Sequence, residues 1–378
     1  MVEFTFPRVF KIRAELAEVY YTQVIQSLAI ALIGIFIPIF LLKTGYDLAT
    51  VILFLVIQWV AAAAFSPLAG RLISRFGFKK SVLLRVPLLV LFFSLLFAVE
   101  SASPGFLFLA PIAVVGGIAE SLYWIAIMAE FMRNTDKLHE GQQAAHLIAL
   151  PSLAHLAAPL LGALILATLG FTVLFLIVIS MLLLSIAPLF LANVYSGAYA
   201  FKLSEAKLVI DRRFLLQFFL LGILVIGEGV LWPVFIYTSL QSFLHVGAAA
   251  AITALGISFF TLLYGKIVDE SDRKRLMRIG TIAYAVTWIG RVFVTTPLEV
   301  YFASFLGAMF AAVVMVHIFA NFTEFVRGKN ILQCTVFREL WFSIGQIVLL
   351  VVILLALGAS LPLTFLTIGL LMLTLLVV

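Results

Sequence analysis

The sequence predicts an all-α membrane protein of twelve transmembrane helices arranged as two six-helix bundles. Three observations lead there. First, 64% of the 378 residues are hydrophobic and only 11% are Asp, Glu, Lys or Arg. An average soluble domain is roughly half apolar and about a quarter charged. Too few polar residues remain to cover a soluble fold of this size, which excludes a water-soluble enzyme. Second, the apolar residues form long unbroken runs such as 161–191, whereas a membrane β-barrel shows alternating strands of about ten residues. Third, the basic residues lie almost entirely on one side of the spans that these runs define.

Each crossing needs about 20 mostly apolar residues. Splitting the runs at charges, Gly and Pro places the first six spans at 19–42, 48–72, 81–99, 106–129, 144–169 and 171–192. Span one follows a segment mixing Arg8, Lys11 and Arg13 with Glu3, Glu15 and Glu18, without a small-residue cleavage site, so it reads as a retained signal anchor. It carries Gln23, Gln26 and Ser27 on one helical side. Span two holds Gln58 and ends at Gly70, and the basic loop to span three contains Arg75, Gly77, Lys79 and Lys80. Span four contains Glu120, fourteen residues past Phe106 and so about 21 Å deep, followed by Tyr123 and Trp124. Span five contains Pro159 and Gly162. Its His146 and His155, nine residues apart, are half a turn out of phase and make no metal pair.

The polar segment 194–213 divides the chain into an N-terminal bundle, 1–193, and a C-terminal bundle, 214–378. The later spans are placed at 214–240, 246–264, 279–294, 300–320, 340–357 and 361–378. Span seven holds Glu228, as far from its start as Glu120 is, and Trp232-Pro233 close behind suggests a kink. Span eight ends at Gly265, which opens a second basic loop with Asp269, Arg273 and Lys274. Span nine ends near Trp288 and Arg291, read as an interfacial aromatic and an arginine snorkelling to the surface. Span ten carries His317 and Asn321, and span eleven carries Gln346. The single Cys334 falls in a basic connection and reads as a free thiol.

Numbered from an inside N-terminus, every basic residue of the 24 except Lys43 and Arg291 falls on the inside. Arg85 and Arg338 are among them. The positive-inside rule then places both termini in the cytoplasm of a cell-membrane protein. The net charge of +6 reflects topology and needs no nucleic-acid partner.

The two halves repeat a pattern after their second spans, a Gly at the inside end followed by a tight basic loop of about ten residues. With Gly70, Leu72, Arg75, Gly77, Lys79 and Lys80, the first loop resembles the Gly-x-Leu-Ala-Asp-Arg-x-Gly-Arg-Arg motif of the major facilitator superfamily. Ser74 replaces the motif's Asp, and Asp269 occupies that place in the second copy. The segment Ala158-Pro159-Leu160-Leu161-Gly162-Ala163 is similar to the Gly-Pro-x-x-Gly-Gly motif of the family's antiporters, although kinking and packing account for Pro and Gly equally. The resemblance implies spans one, four, seven and ten around a central cavity, and a solute moved by rocking of the halves.

On that resemblance the chain is expected to be a secondary transporter of a small organic solute, monomeric in the bilayer, with a proton or sodium gradient as energy source and no bound cofactor. The antiporter-like segment favours export. A charge at membrane depth costs at least a few kcal/mol and is a functional candidate by default, so Glu120 and Glu228 lead the candidates. Packing carboxyls are the alternative. Tyr123, Trp124, Gln23, Gln26, His317 and Gln346 are further candidates for the substrate path. Span four lacks the arginine of the family's drug antiporters, and together with Ser74 this keeps open a non-transporting scaffold or sensor. There is no phosphate loop, no zinc motif and no nucleophile elbow, so an ATP-driven pump of the P-loop type is excluded and no enzyme is expected.

Overall fold

The computed structural model describes residues 14–102, 105–134, 156–185, 187, 201, 211–270, 273–355 and 361–377, and every regular element among them is helical. In lipid a backbone amide has no water to bond, and the helix satisfies it internally. Helix α1 (Ala14–Ile33) passes through a 3-10 turn, Gly34–Phe36, into α2 (Ile37–Lys43). Pro38 sits in the first turn of α2, where its missing N–H costs no hydrogen bond.

Helix α3 (Leu48–Ala102) contains the predicted spans two and three. Its apolar stretch of 52 residues is more than twice a bilayer crossing. Gly77, with φ +78° and ψ 174°, is the break between them. That left-handed backbone is open to Gly and strained for other residues. Helix α4 (Phe106–Asn134) follows, and α5 (Ala158–Leu184) is broken in the same way at Gly170, φ +79°. The chain continues with α6 (Arg212–Ile226), a π-helical turn Gly227–Leu231, and α7 (Trp232–Leu240). It ends with α8 (Phe243–Glu270), α9 (Arg273–Gly290), α10 (Pro297–Val326), α11 (Ile331–Leu355) and α12 (Leu361–Met372).

Among the described residues, eight segments are long and apolar enough to cross a membrane, with Leu48–Val99 counted once. That measure does not reach twelve. Single-glycine breaks join predicted spans two and three, and five and six, into one helix each. Helix α9 begins in a basic cluster that lowers its hydropathy. The middle connection lies almost wholly outside the described residues, as do His146 and His155.

Helix α3 packs against α4 and α11, α5 against α1 and α8, and α6 against α11. The α3–α11 and α5–α8 contacts therefore join elements from before and after the middle connection. Small residues let these helices approach closely. A Cβ on Gly222 would overlap the Phe342 carbonyl, and one on Gly345 would overlap the Phe219 carbonyl, so α6 and α11 meet at reciprocal glycines. Cys334 is free and buried inside α11, not in a connection as its sequence position suggested, because the helix begins at Ile331, nine residues before the predicted span.

Candidate functional site

Two arginines that the sequence assigned to a loop and to the interface are buried in the bundle. Arg85 lies eight residues past the Gly77 break, far enough along α3 to face inward instead of the loop. Its side chain is 2% exposed and its Nη2 lies 3.1 Å from Glu120 Oε1 on α4. Nη1 donates to Gln26 Oε1 on α1 at 3.3 Å, and the guanidinium stacks 3.9 Å over the Tyr123 ring. Trp124 Nε1 donates to the other Glu120 oxygen at 3.0 Å. Both oxygens of Glu120 are thus held, and a hydroxyl contact of 3.2 Å between Ser66 and Ser121 ties α3 to α4 beside it. Of the expected residues, Glu120, Tyr123, Trp124 and Gln26 come together here. The side chain of Gln23 lies outside the described residues.

Glu228 belongs to a separate constellation. It sits on the π-helical turn between α6 and α7, where one extra residue redirects the chain. Arg291 meets both of its oxygens, Nη1 to Oε1 at 2.9 Å and Nη2 to Oε2 at 3.0 Å. Tyr284 donates its hydroxyl to Oε1 at 2.8 Å. The guanidinium lies between two indoles, 4.1 Å from Trp288 and 4.5 Å from Trp232, and Trp232 Nε1 donates to Ser304 Oγ on α10 at 2.9 Å. A Cβ on Gly307 would come within 2.5 Å of Arg291 Nη2, so α10 needs glycine where it passes the pair. Arg291 is 0% exposed and Trp288 is fully buried. Neither is at the interface, because the carboxylate of Glu228 and the two ring faces draw the guanidinium inward.

A third pair was missed altogether. Arg338 Nη1 lies 2.8 Å from Glu339 Oε2 on α11, with Glu339 0% exposed. The Arg338 guanidinium is surrounded by the rings of Phe218, Phe319 and Phe342 at 5.2–5.6 Å. The predicted span begins at Leu340, two residues too late to include both of them. His317 on α10 and Gln346 on α11 are also buried.

The remaining candidates include helix-packing positions, and the expected loop at 70–80 is helical within α3 except at the Gly77 break. A Cβ on Gly70 would come within 2.7 Å of Val336 and 3.0 Å of the Phe201 ring, so the glycine admits α11 and a residue of the middle connection. Arg75 stacks on Phe76 at 5.4 Å, Lys79 is nearly buried and Lys80 is exposed. The side chains of Asp269, Arg273 and Lys274, and the surroundings of Gly265, lie outside the described residues. In α5, a Cβ on Gly162 would overlap the Leu32 carbonyl, and the Pro159 carbonyl meets Gly247 of α8. No group of three or more His, Cys, Asp or Glu fit to hold a metal occurs among the described residues.

The family model for the Major Facilitator Superfamily matches residues 19–235. The chain is similar in fold to the crystal structure of the human organic anion transporter MFSD10 (TETRAN), with a TM-score of 0.68 at 15% identity over 97% of this chain and 100% of that one. It is likewise similar to the crystal structure of FucP, a major facilitator superfamily transporter in the outward conformation, with a TM-score of 0.69 at 11% identity over 97% of each chain. No curated protein sequence matches.

Proposed function

The chain belongs to the Major Facilitator Superfamily, a family of membrane transporters, and from that premise we propose that it moves a small organic solute across a cell membrane by alternating access, coupled to protons. The observation that carries this reading is the pair of buried arginine–carboxylate constellations, Arg85–Glu120 before the middle connection and Arg291–Glu228 after it. Each joins separate elements, α3 to α4 in the first and the π-helical turn to the 3-10 turn Arg291–Phe293 after α9 in the second. Each is costly to maintain in a low-dielectric core unless both partners stay together. A proton arriving at either carboxylate neutralises it and frees its arginine, which gives the surrounding helices two arrangements. The half-buried state of Glu120 and Glu228, 21% and 15% exposed, leaves a route for that proton.

The orientation follows the positive-inside reading, with the Gly77 break and both termini on the cytoplasmic side, and the working unit is one chain divided at 194–213. Contact with Leu32 accounts for Gly162, so the antiporter-like segment carries no argument for direction.

The test uses the single cysteine. In a Cys334→Ala background, cysteines placed one at a time at Gln26, Ser121, Ser304 and Gln346 are labelled with an impermeant maleimide from either side of the membrane. Alternating access predicts that at least some positions react from both sides, in proportions that shift with pH, and that Glu120→Gln or Glu228→Gln removes the shift. One-sided labelling at every position, whatever the pH, is the scaffold result and sinks the transport reading.

A further inference from the structure

Three arginines are buried among the described residues, and each faces one carboxylate: Arg85 with Glu120, Arg291 with Glu228, Arg338 with Glu339. The buried arginines are thus balanced pair by pair. While all three carboxylates are ionised, a ligand carrying net charge must either open one of these pairs, stranding its partner in low dielectric, or remain uncompensated itself. A neutral ligand does neither.

The uncharged atoms of the same region show what such a ligand must offer. Helix α11 presents Glu339, Ser343 and Gln346 at i, i+4 and i+7, a single stripe about 10 Å long, and all three are fully buried. Glu339 Oε1, Ser343 Oγ and both amide atoms of Gln346 have no hydrogen-bond partner in the protein. Helix α11 packs against α4, the helix that carries Glu120. Beside Glu120, Gln26 Nε2 and Arg85 Nε are buried and unpartnered as well. On the stripe itself acceptors and donors are therefore mixed: two carbonyl-type oxygens, one hydroxyl and one amide nitrogen. Buried polar atoms in native structures find partners in protein, water or ligand. A hydroxyl, donor and acceptor on one atom, meets both kinds of vacancy. Carboxylates alone would leave the acceptors unmet, and ammonium groups would leave the donors unmet.

We infer that the Glu339, Ser343 and Gln346 stripe of α11 is a binding site for a neutral, hydroxyl-rich solute of the polyol or sugar class. Its role as the transported species rests on the proposed function, but binding stands or falls on its own. Glu339 accepts through Oε1 while Arg338 holds Oε2, so the carboxylate contributes an acceptor without exposing a net charge.

Thermal-shift titration of the purified full chain tests this with probes matched in carbon skeleton: glucose, sorbitol and myo-inositol as neutral members, glucuronate as the anion and glucosamine as the cation. At least one neutral probe is expected to raise the melting temperature in a dose-dependent way, with glucuronate and glucosamine without effect at equal concentration. Ser343→Ala and Gln346→Ala, each removing one or two hydrogen bonds and no charge, should weaken that response five- to tenfold. Their ligand-free melting temperatures report whether they fold. A shift from a charged probe alone, no shift from any probe, or full responses retained in both variants overturns the assignment. The maleimide assay separates the two ideas. Two-sided labelling with binding only of charged probes defeats this inference and leaves transport standing, whereas neutral binding with one-sided labelling does the reverse.

Discussion

At the residue scale, the outcome turns on where arginines point. Arg291 with Glu228 is a two-point pair packed between two indoles. Removing one partner leaves a buried charge alone, so Arg291→Gln is expected to cost about 3–5 kcal/mol, read as a loss of melting temperature in detergent. Replacing both partners by Glu228→Leu with Arg291→Met should recover much of that stability while removing the pH response of the maleimide assay. Asp47 offers a milder case outside the spans. Its carboxylate accepts the Thr50 amide at 2.9 Å at the start of α3, and hydrogen bonding to Thr50 holds its pKa below the usual carboxylate value. A depressed folded-state pKa stabilises above the unfolded value, about 3.9, and this is lost as pH falls through the lower folded value. Asp47→Ala should therefore melt below the parent at pH 7, and the two should converge at acid pH. The sequence singled out Glu120 and Glu228 because a short acidic side chain at membrane depth has no topological role. It could not single out Arg85 or Arg338, because hydropathy treats an arginine near a span end as part of the loop whichever way its side chain turns.

At the element scale, glycines decide how helices turn and how closely they meet. Gly77 was legible as part of a loop motif, but its physical role is a left-handed break between two helices that would otherwise run on. Gly77→Ala is expected to cost roughly 1–2 kcal/mol through backbone strain, measured again by melting temperature. Gly345→Leu should do far worse, because its side chain has only the Phe219 carbonyl to occupy. Loss of the monodisperse peak in size-exclusion chromatography is the expected result. Gly290→Ala, with no heavy atom within 4 Å of the added carbon, is the neutral control. Span positions were readable from apolar length, but the extent of α11 was not. Its first turns carry Gln333, Cys334, Arg338 and Glu339, polar enough to read as connection until neighbouring helices cover them.

At the scale of the molecule, two sets of contacts among the described residues join the two parts of the chain. At the end bearing the Gly77 break, Ala69, Ile73 and Phe78 of α3 and Leu122 and Ala126 of α4 pack with Leu332 and Val336 of α11. At the other end Phe36, Phe171, Phe243 and Tyr237 form a chain of ring contacts, with Lys43 5.0 Å over Phe243. Alternating access requires these two seams to part in turn. Cysteine pairs at Gly70 and Val336, or at Phe36 and Phe243, joined by a short bismaleimide in the Cys334→Ala background, should each restrict labelling of the central positions to the opposite side. Crosslinks that leave two-sided labelling intact would show that neither seam is a gate.

The helical class, the membrane setting and the order of most spans were legible in the sequence alone, because apolar length and charge placement are local properties that lipid reads directly. Only the tertiary structure decided which charges are partners. Arg85 and Glu120 are 35 residues apart, and Arg291 and Glu228 are 63 apart. No periodicity links such positions, and the ion pairs exist only because packed helices bring opposite charges together in a medium where neither could remain alone.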